Sequence, residues 1–510
     1  MQGVLQPSRW MPDPVHLLAQ YFHPARHPRI AHCTCLSPSD AKYHDGAQMG
    51  QPSLLNLDTP QQHFSLSLET PTTHSTPSSP AMPTTVPRKR RGEHPAADNI
   101  SDQSRTTLRE TDAGAGQTRN HNMLLTLGPV SYLDCFIFLL LLAPQLLWHV
   151  GLLATASCAL LAVPFLAALP VAIIKERHWQ KKGGLFVQRA TFFEDLVIRC
   201  VRYAFANVPA RIGRVFLSKG VALPFFWFRM VRRGYLAAPV HWHEHQEDGF
   251  KGIWLARDPA AKPDFVLYYI HGGGFSMGSA FFYLEFLMTW LSVLECSGYS
   301  NPAIFALEYT LVPDASYPTQ INEVVAGYRH VWKVAQDPSI VCVSGDSAGG
   351  MLVLSLLLHL SEKARGDGKQ EGGIEKPAMA MLISPWVTLL SEEKDNPGCD
   401  YLSVGQLNRY GRLLAGDRIS ATDPLVSPGC CQDVEWWRRA SPPKGFYITY
   451  GEDEILAPDI DELIGRLDQA GIAVQSDKEA GGIHAWPVAS VFLSTSEEER
   501  LMGLRTFGDG

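Results

Sequence analysis

Val341-Cys342-Val343-Ser344-Gly345-Asp346-Ser347-Ala348-Gly349-Gly350 is a short, β-branched run that ends in Gly-x-Ser-x-Gly, and an apolar helical pattern from Met351 to Leu360 follows at once. Strand, sharp turn and helix in that order are the setting of a nucleophile elbow. Gly345 and Gly349 suit it because the turn is strained and the backbones on either side pack closely. Such a turn lifts Ser347 to the carboxyl edge of a parallel sheet and presents its hydroxyl. The five-residue pattern alone also occurs in ordinary loops, so the reading depends on what surrounds it.

Around this stretch the chain alternates. Phe265–Ile270, Ala303–Tyr309, Met379–Ile383, Gly445–Tyr450 and Ile472–Val474 are uninterrupted apolar runs, as expected of strands buried on both faces. Helical patterns lie between, at 281–297, 319–336, 350–364 and 458–470. The alternation predicts an α/β fold, a mostly parallel sheet with helices on both faces, over 236–510. Residues 391–443 break the rhythm with polar, Gly- and Pro-containing sequence. They are expected to form an insertion over the carboxyl edge of the sheet, where a lid would sit.

A serine hydroxyl is a poor nucleophile at neutral pH and needs a base, an acid to orient the base, and oxyanion donors. In sheets of this kind the order is Ser, then Asp or Glu, then His. Downstream of Ser347, the strand Phe446–Tyr450 runs into Gly451-Glu452-Asp453-Glu454, and Gly481-Gly482-Ile483-His484 follows the last strand. Upstream, His271-Gly272-Gly273-Gly274 ends a buried strand. The N–H groups of Gly273, Gly274 and Ala348 are the candidate oxyanion donors, and Ser347, Glu454 and His484 the candidate triad, with Asp453 as the alternative acid. Taken singly, His484 reads as a structural histidine and 452–454 as a solvated loop; four elements in order, each at a strand end, argue for catalysis. No metal or cofactor is required.

The motifs His271–Gly274 and Gly345–Gly349, Asp346 included, resemble those of the hormone-sensitive-lipase-like family of α/β-hydrolases. Tyr309–Pro318 is similar to that family's strand-turn segment, with Asp314 where Glu is usual, and Ser384-Pro385-Trp386 and Thr422-Asp423-Pro424-Leu425 resemble family landmarks. The resemblance covers about 236–500. It implies an α/β-hydrolase fold with a helical cap, activity on carboxylic esters and an acid at Glu454. A membrane segment ahead of such a domain resembles the steryl acetyl hydrolase branch, which implies an endoplasmic-reticulum membrane, a lipophilic ester and a lumenal catalytic domain.

That membrane segment is read from composition. Cys135–Ile174 is a run of 40 residues without Asp, Glu, Lys or Arg, long enough to cross a bilayer. Pro144, His149 and Gly151 suggest a break, giving an embedded segment over 131–148 and a spanning helix over 151–174. A buried hairpin in a soluble protein is the plainer alternative. Lys175, Arg177, Lys181, Lys182 and Arg189 follow the run, whereas only Arg119 stands in 115–134, so the positive-inside rule places the catalytic domain in the cytoplasm, against what the resemblance implies. Residues 181–235 mix aromatics and arginines at helical spacing and are expected to supply linker and cap helices.

Residues 1–122 are rich in Pro, Ser, Thr, Gln and His and are expected to be disordered. They include the basic run Arg88–Arg91 and the sequon Asn99-Ile100-Ser101, and Met123 follows them directly. A net charge of −7 with no basic stripe gives no reason to expect nucleic acid as a partner. Ten scattered cysteines do not make a disulfide scaffold, and no Cys-x-x-Cys or His-Glu-x-x-His points to zinc. The residues thus point to a membrane-attached serine esterase acting on a small ester. A non-catalytic binding module on the same fold, or an amide hydrolase using the same residues, stays open.

Overall fold

The computed structural model describes residues 125–180, 184–366, 374–391 and 400–507. The expected disordered tail, with Arg88–Arg91, the sequon and Met123, lies outside them. Eight strands form one sheet in the order β1-β2-β4-β3-β5-β6-β7-β8. They are β1 (His241–Glu247), β2 (Phe250–Ala256), β3 (Phe265–Ile270), β4 (Pro302–Leu307), β5 (Val341–Asp346), β6 (Met379–Ile383), β7 (Phe446–Gly451) and β8 (Val474–Glu479). From β4 to β8 all neighbours are parallel; β2 is antiparallel to both β1 and β4.

The pleat explains why the central strands are apolar throughout. On β3, Val266, Tyr268 and Ile270 enter one core while Leu267 and Tyr269 enter the other, because successive side chains point to opposite faces. The hairpin β1–β2 was not expected from the sequence. Its turn, Asp248-Gly249, is a recognised hairpin pair, with Gly249 at φ 92°. Its outer strand, His241-Trp242-His243-Glu244-His245-Gln246-Glu247, is polar and mostly exposed. Charge on an edge strand prevents further pairing and also removes the alternation that betrays a strand. The last strand starts at Val474, so of the expected 472–474 only its final residue is paired.

Ahead of the sheet come α1 (Tyr132–His149), α2 (Leu152–Lys175), α3 (Leu185–Arg189), α4 (Phe192–Asn207), α5 (Ala210–Phe216) and α6 (Lys219–Arg232). Between and after the strands come α7 (Leu284–Cys296), α8 (Thr319–Ala335), α9 (Ala348–Gly366), α10 (Val404–Ala415), α11 (Val434–Ala440), α12 (Ala457–Gln469), α13 (Trp486–Leu493) and α14 (Glu497–Arg505). Helices α8, α9 and α12 cover one face; α7, α13 and α14 cover the other. Helix α6 joins the second group through Ala222, Leu223, Phe226 and Met230, so it belongs to the sheet's helical layer and not to a cap. Its Arg229, 1% exposed, is held bidentately by Glu285 of α7 at 2.6 and 2.7 Å.

The stretch 391–443, expected over the carboxyl edge, divides in two. Helix α10 meets α4 there: the Gln406 amide donates to Ala206 O at 3.0 Å, and Tyr410 packs on Phe205. Helix α11 instead packs under the sheet's flank, with the Trp436 indole donating to Leu358 O and Ser361 Oγ of α9. The reason is topological. Parallel β6 and β7 need a crossover that returns to the amino edge, and α11 is that crossover.

Candidate active site

The candidate residues converge on the carboxyl ends of β3, β5, β6 and β7. Ser347 directly follows β5 and has φ 52°. Its N–H donates to Ile383 O at 2.9 Å, and its carbonyl accepts from Trp386 N at 2.9 Å. The flanking glycines are sterically required. A Cβ on Gly349 would lie 2.0 Å from Ile270 O, and one on Gly345 2.7 Å from the same oxygen. Elbow and β3 therefore touch backbone to backbone, which puts Ser347 beside the 271–274 turn.

That turn is organised by Asp346, 3% exposed. Its carboxylate accepts from Tyr269 OH (2.6 Å), Gly272 N (2.8 Å) and Tyr283 OH (2.7 Å). Burial pushes the Asp346 carboxyl up, and these donors and His484 pull it back. With Gly272 N so engaged, the next two amides are left over. Gly273 (φ 104°) and Gly274 (φ 61°) turn the chain, and no hydrogen bond is made among the described residues by the N–H of Gly273, Gly274 or Ala348. His271 is buried and stacks on Tyr309, ring centroids 4.4 Å apart. Its Nδ1 faces Gly272 O at 2.8 Å. Burial pulls the imidazole down to about 4, so it is neutral at physiological pH.

Past the end of β7, Glu454 Oε2 meets His484 Nδ1 at 3.2 Å, with the two side chains 0% and 2% exposed. Burial alone pulls His484 down, but Glu454, Asp400 and Asp346 outweigh it and the imidazole is raised. Burial likewise pushes Glu454 up, against the pull of His484. Asp453, the alternative acid, has its N–H on Gly482 O (3.1 Å). His484 makes no hydrogen bond to Ser347 Oγ; such a bond commonly tightens only with substrate present. The two residues are tied through the end of β6, where Ile383 O holds Ser347 N and Ser384 Oγ accepts from Ala485 N at 2.9 Å.

Two contributors were not seen in the sequence. Ser384 was noted there only as a landmark. Asp400, 0% exposed, lies in the polar stretch 391–443. It accepts from Tyr401 N (2.7 Å), Ile455 N (2.9 Å) and His484 N (3.4 Å). One buried carboxylate thus joins the acid loop to the histidine loop. No motif could have signalled it.

Away from this edge, His245, Glu247 and His330 bring possible metal-ligand atoms within 4.8 Å of one another, a group the sequence reading did not anticipate because β1 and α8 are far apart in the chain. The Trp254 indole N–H, a donor only, meets His330 Nε2 at 3.1 Å. His330 therefore carries its hydrogen on Nδ1, which faces Glu247 at 3.4 Å. That hydrogen occupies the lone pair a metal would need. A cleft of about 400 Å³ lined by Glu247, Phe250, Asn322 and Glu323 adjoins this group and contains no residue of the candidate triad.

Comparison with known proteins agrees with the fold. Residues 267–488 match a family model described as alpha/beta hydrolase fold. The chain is 27% identical over 258 residues to a relative in Schizosaccharomyces pombe and 28% identical over 231 residues to one in Mycobacterium tuberculosis, spanning 65% and 62% of their lengths, just under two thirds of each. Those alignments cover 48% and 44% of this chain. It is 27% identical over 262 residues to the acetyl-hydrolase of Streptomyces hygroscopicus (48% of this chain, 80% of that one) and 29% identical over 216 residues to steryl acetyl hydrolase 1 of Saccharomyces cerevisiae (39% and 47%). A solved hormone-sensitive lipase from a metagenome library superposes with a TM-score of 0.48 at 23% identity, over 62% of this chain and 96% of that one. The strand order, the elbow after β5 and the family match together make residues 267–488 of this chain an α/β-hydrolase domain.

Proposed function

We propose that the chain is a serine carboxylic-ester hydrolase working through Ser347, His484 and Glu454. One observation carries the reading: a buried acid–imidazole pair, Glu454 and His484, shares the carboxyl sheet edge with a strained serine and with three backbone N–H groups that no acceptor among the described residues uses. Ser347 Oγ attacks the ester carbonyl carbon while His484 Nε2 takes its proton. The carbonyl oxygen, now an alkoxide, sits on the N–H groups of Gly273, Gly274 and Ala348. His484 returns the proton to the leaving alkoxide, takes one from the water that attacks the acyl-enzyme carbonyl, and gives it back to Ser347 Oγ as the carboxylic acid departs. Glu454 holds Nδ1–H and stabilises the imidazolium.

The acyl group lies against Phe205 and Tyr410, which flank Gly274: a Cβ there would be 3.0 Å from Tyr410 and 3.9 Å from Phe205. Apolar walls favour an apolar ester, and the acetyl-hydrolase and steryl acetyl hydrolase names of relatives suggest short acyl groups on a lipophilic alcohol. The apolar helices α1 and α2 favour a membrane location, and the sequence resemblance supports the endoplasmic reticulum. The test is hydrolysis of a short-acyl p-nitrophenyl ester with fluorophosphonate labelling. Ser347→Ala is expected to abolish both; labelling or turnover that survives it refutes the assignment.

A further inference from the structure

Helices α1 and α2 are apolar enough to cross a membrane, yet neither is surrounded by space for lipid. Along α1, one residue in every turn points into the protein: Asp134, Phe138, Leu142 and Leu146. Asp134 pairs with Arg232 and lies 3.5 Å from Arg229, both on α6. Phe138 packs edge-on against Phe225, centroids 5.3 Å apart. Leu142 and Leu146 join Val208, Ile212, Val215 and Val221 in one buried cluster. The same holds for α2 against α4. Phe165 stacks on Tyr203 at 4.2 Å, the Tyr203 hydroxyl donates to Leu161 O at 3.0 Å, and Glu176, just past the end of α2, pairs with Arg199 at 2.7 Å. Leu169 and Ile173 are buried between these ties.

The outer stripe of both helices is the reverse. Leu133, Phe136, Leu140, Leu153, Leu160 and Val171 are each at least half exposed, within a sequence that carries no charge from 135 to 174. Tyr132 and Trp148, at the two ends of α1, are 62% and 75% exposed, and such rings favour the headgroup level. Lys175 and Arg233 are exposed at the margins, a placement that suits lipid phosphates. An 18-residue helix is about 27 Å long. Were α1 to cross a bilayer, α5 and α6, bound along its length, would enter the hydrocarbon with Arg211, Arg214 and Lys219.

We infer that α1 and α2 lie in the plane of one leaflet, docking the catalytic domain on the lipid surface without crossing it. This takes the place of the spanning helix expected over 151–174, and it rests on the membrane location proposed above. It also names the route of the substrate. Helix α4 turns Tyr203 toward α2 and Phe205 toward Gly274. A single helix therefore separates the lipid face from the oxyanion glycines, and a lipid-dissolved ester enters past α4.

Nitroxides placed singly at Leu133, Leu140 and Leu147, as cysteines in a background with the native cysteines replaced, read the geometry in phosphatidylcholine–phosphatidylserine vesicles. Relative accessibility to oxygen and to a water-soluble nickel complex is expected to give one shallow depth for all three. A depth that changes by about 10 Å per seven residues means a spanning helix and overturns the inference, as does aqueous accessibility at every position. The depth reading needs no catalysis, so it stands apart from the esterase assignment. Leu140→Glu with Leu160→Glu is expected to cut hydrolysis of a vesicle-borne ester at least tenfold and leave a soluble ester unaffected; equal loss on both overturns the route.

Discussion

Asp400 offers the sharpest test of how the candidate triad is held. Asp400→Ala strips the acceptor from two well-made N–H bonds, the half-buried one of Tyr401 at 2.7 Å and the buried one of Ile455 at 2.9 Å, and from the longer buried one at His484. A buried donor left unsatisfied costs about 1–3 kcal/mol, so the Ile455 N–H alone sets a loss of about 1–3 kcal/mol in unfolding free energy and the other two N–H groups add to it. Asp400→Asn keeps one acceptor oxygen but turns an amide N–H toward one donor, for a loss of about 1–3 kcal/mol. Both variants remove a negative charge. The groups that bear on the His484 imidazole are Glu454, Asp400 and Asp346, with Tyr401 edge-on to it at 5.6 Å. Those carboxylates raise His484 against its burial, so losing one lowers its pKa. In the proposed mechanism the neutral imidazole activates Ser347, so the acid limb of kcat/KM should move to lower pH in Asp400→Asn. The linkage has the matching sign. A raised histidine contributes stability that is complete below about pH 6.5 and is lost as pH rises through the folded pKa, and the variant should show less of that loss. Urea unfolding and a pH–rate profile with a soluble ester read the two effects. An Asp400→Asn protein with the parental unfolding midpoint and the parental acid limb would refute the reasoning.

Four other outcomes follow from the same structure. His271, held near 4 by burial where an unfolded histidine titrates near 6.5, makes the protein lose about 3 kcal/mol of stability as pH falls from 6.5 to 4; urea midpoints at pH 8 and 5 should show the slope, and His271→Gln should flatten it. Gly349→Ala, whose Cβ meets Ile270 O at 2.0 Å, is expected to cost more than about 3 kcal/mol or to prevent folding. Gly465→Ala, within α12 and with nothing inside 4 Å, should instead stabilise by about 0.5–1 kcal/mol in the same melt. Arg229→Met leaves Glu285 charged and buried without its partner, for about 3–5 kcal/mol in urea unfolding, and Arg229→Met with Glu285→Leu should recover much of it.

What the sequence disclosed follows from what each element must bury. Strands β3 to β7 are covered on both faces, so their apolar runs were legible, and β5 with its glycines announced the elbow. The triple-glycine turn was legible for the same reason: its residues share one short motif. Edge strand β1 was not, since exposure fills it with His and Glu. Helix α11 was read as part of a lid because polar composition cannot separate a crossover from an insertion. Asp400 and the Arg229–Glu285 pair were invisible because each depends on partners 55 or more residues away. The charge-free run 135–174 was read from composition as a membrane element; only the every-fourth-residue burial of α1 shows that one of its sides belongs to the protein.

The site also concentrates conformational strain. Five non-glycine residues have positive φ among the described residues: Phe275, Gln336, Ser347, Ser384 and Ala485. Gln336 caps the end of α8. The other four ring the candidate active site: Ser347 itself, Phe275 directly after the candidate oxyanion glycines, Ser384 at the end of β6 and Ala485 directly after His484. Each costs about 1–3 kcal/mol and persists only where its surroundings over-determine it. Here they brace one another. Ser384 N donates to Thr449 O at 2.7 Å, Ser384 Oγ accepts from Ala485 N, Trp386 N donates to Ser347 O, and Val312 N donates to Phe275 O at 2.9 Å. Phe275 in turn packs on Trp386, centroids 5.4 Å apart. Relaxing any one of these backbones would break a bond that fixes its neighbour, so the strain is held by the set and not by any single turn. That accounts for an edge of four separate loops that keeps a serine, a histidine and three bare amides in place without a hydrogen bond between Ser347 and His484. The preorganisation lies in the backbone, so in the proposed mechanism the side chains need only rotate when an ester arrives.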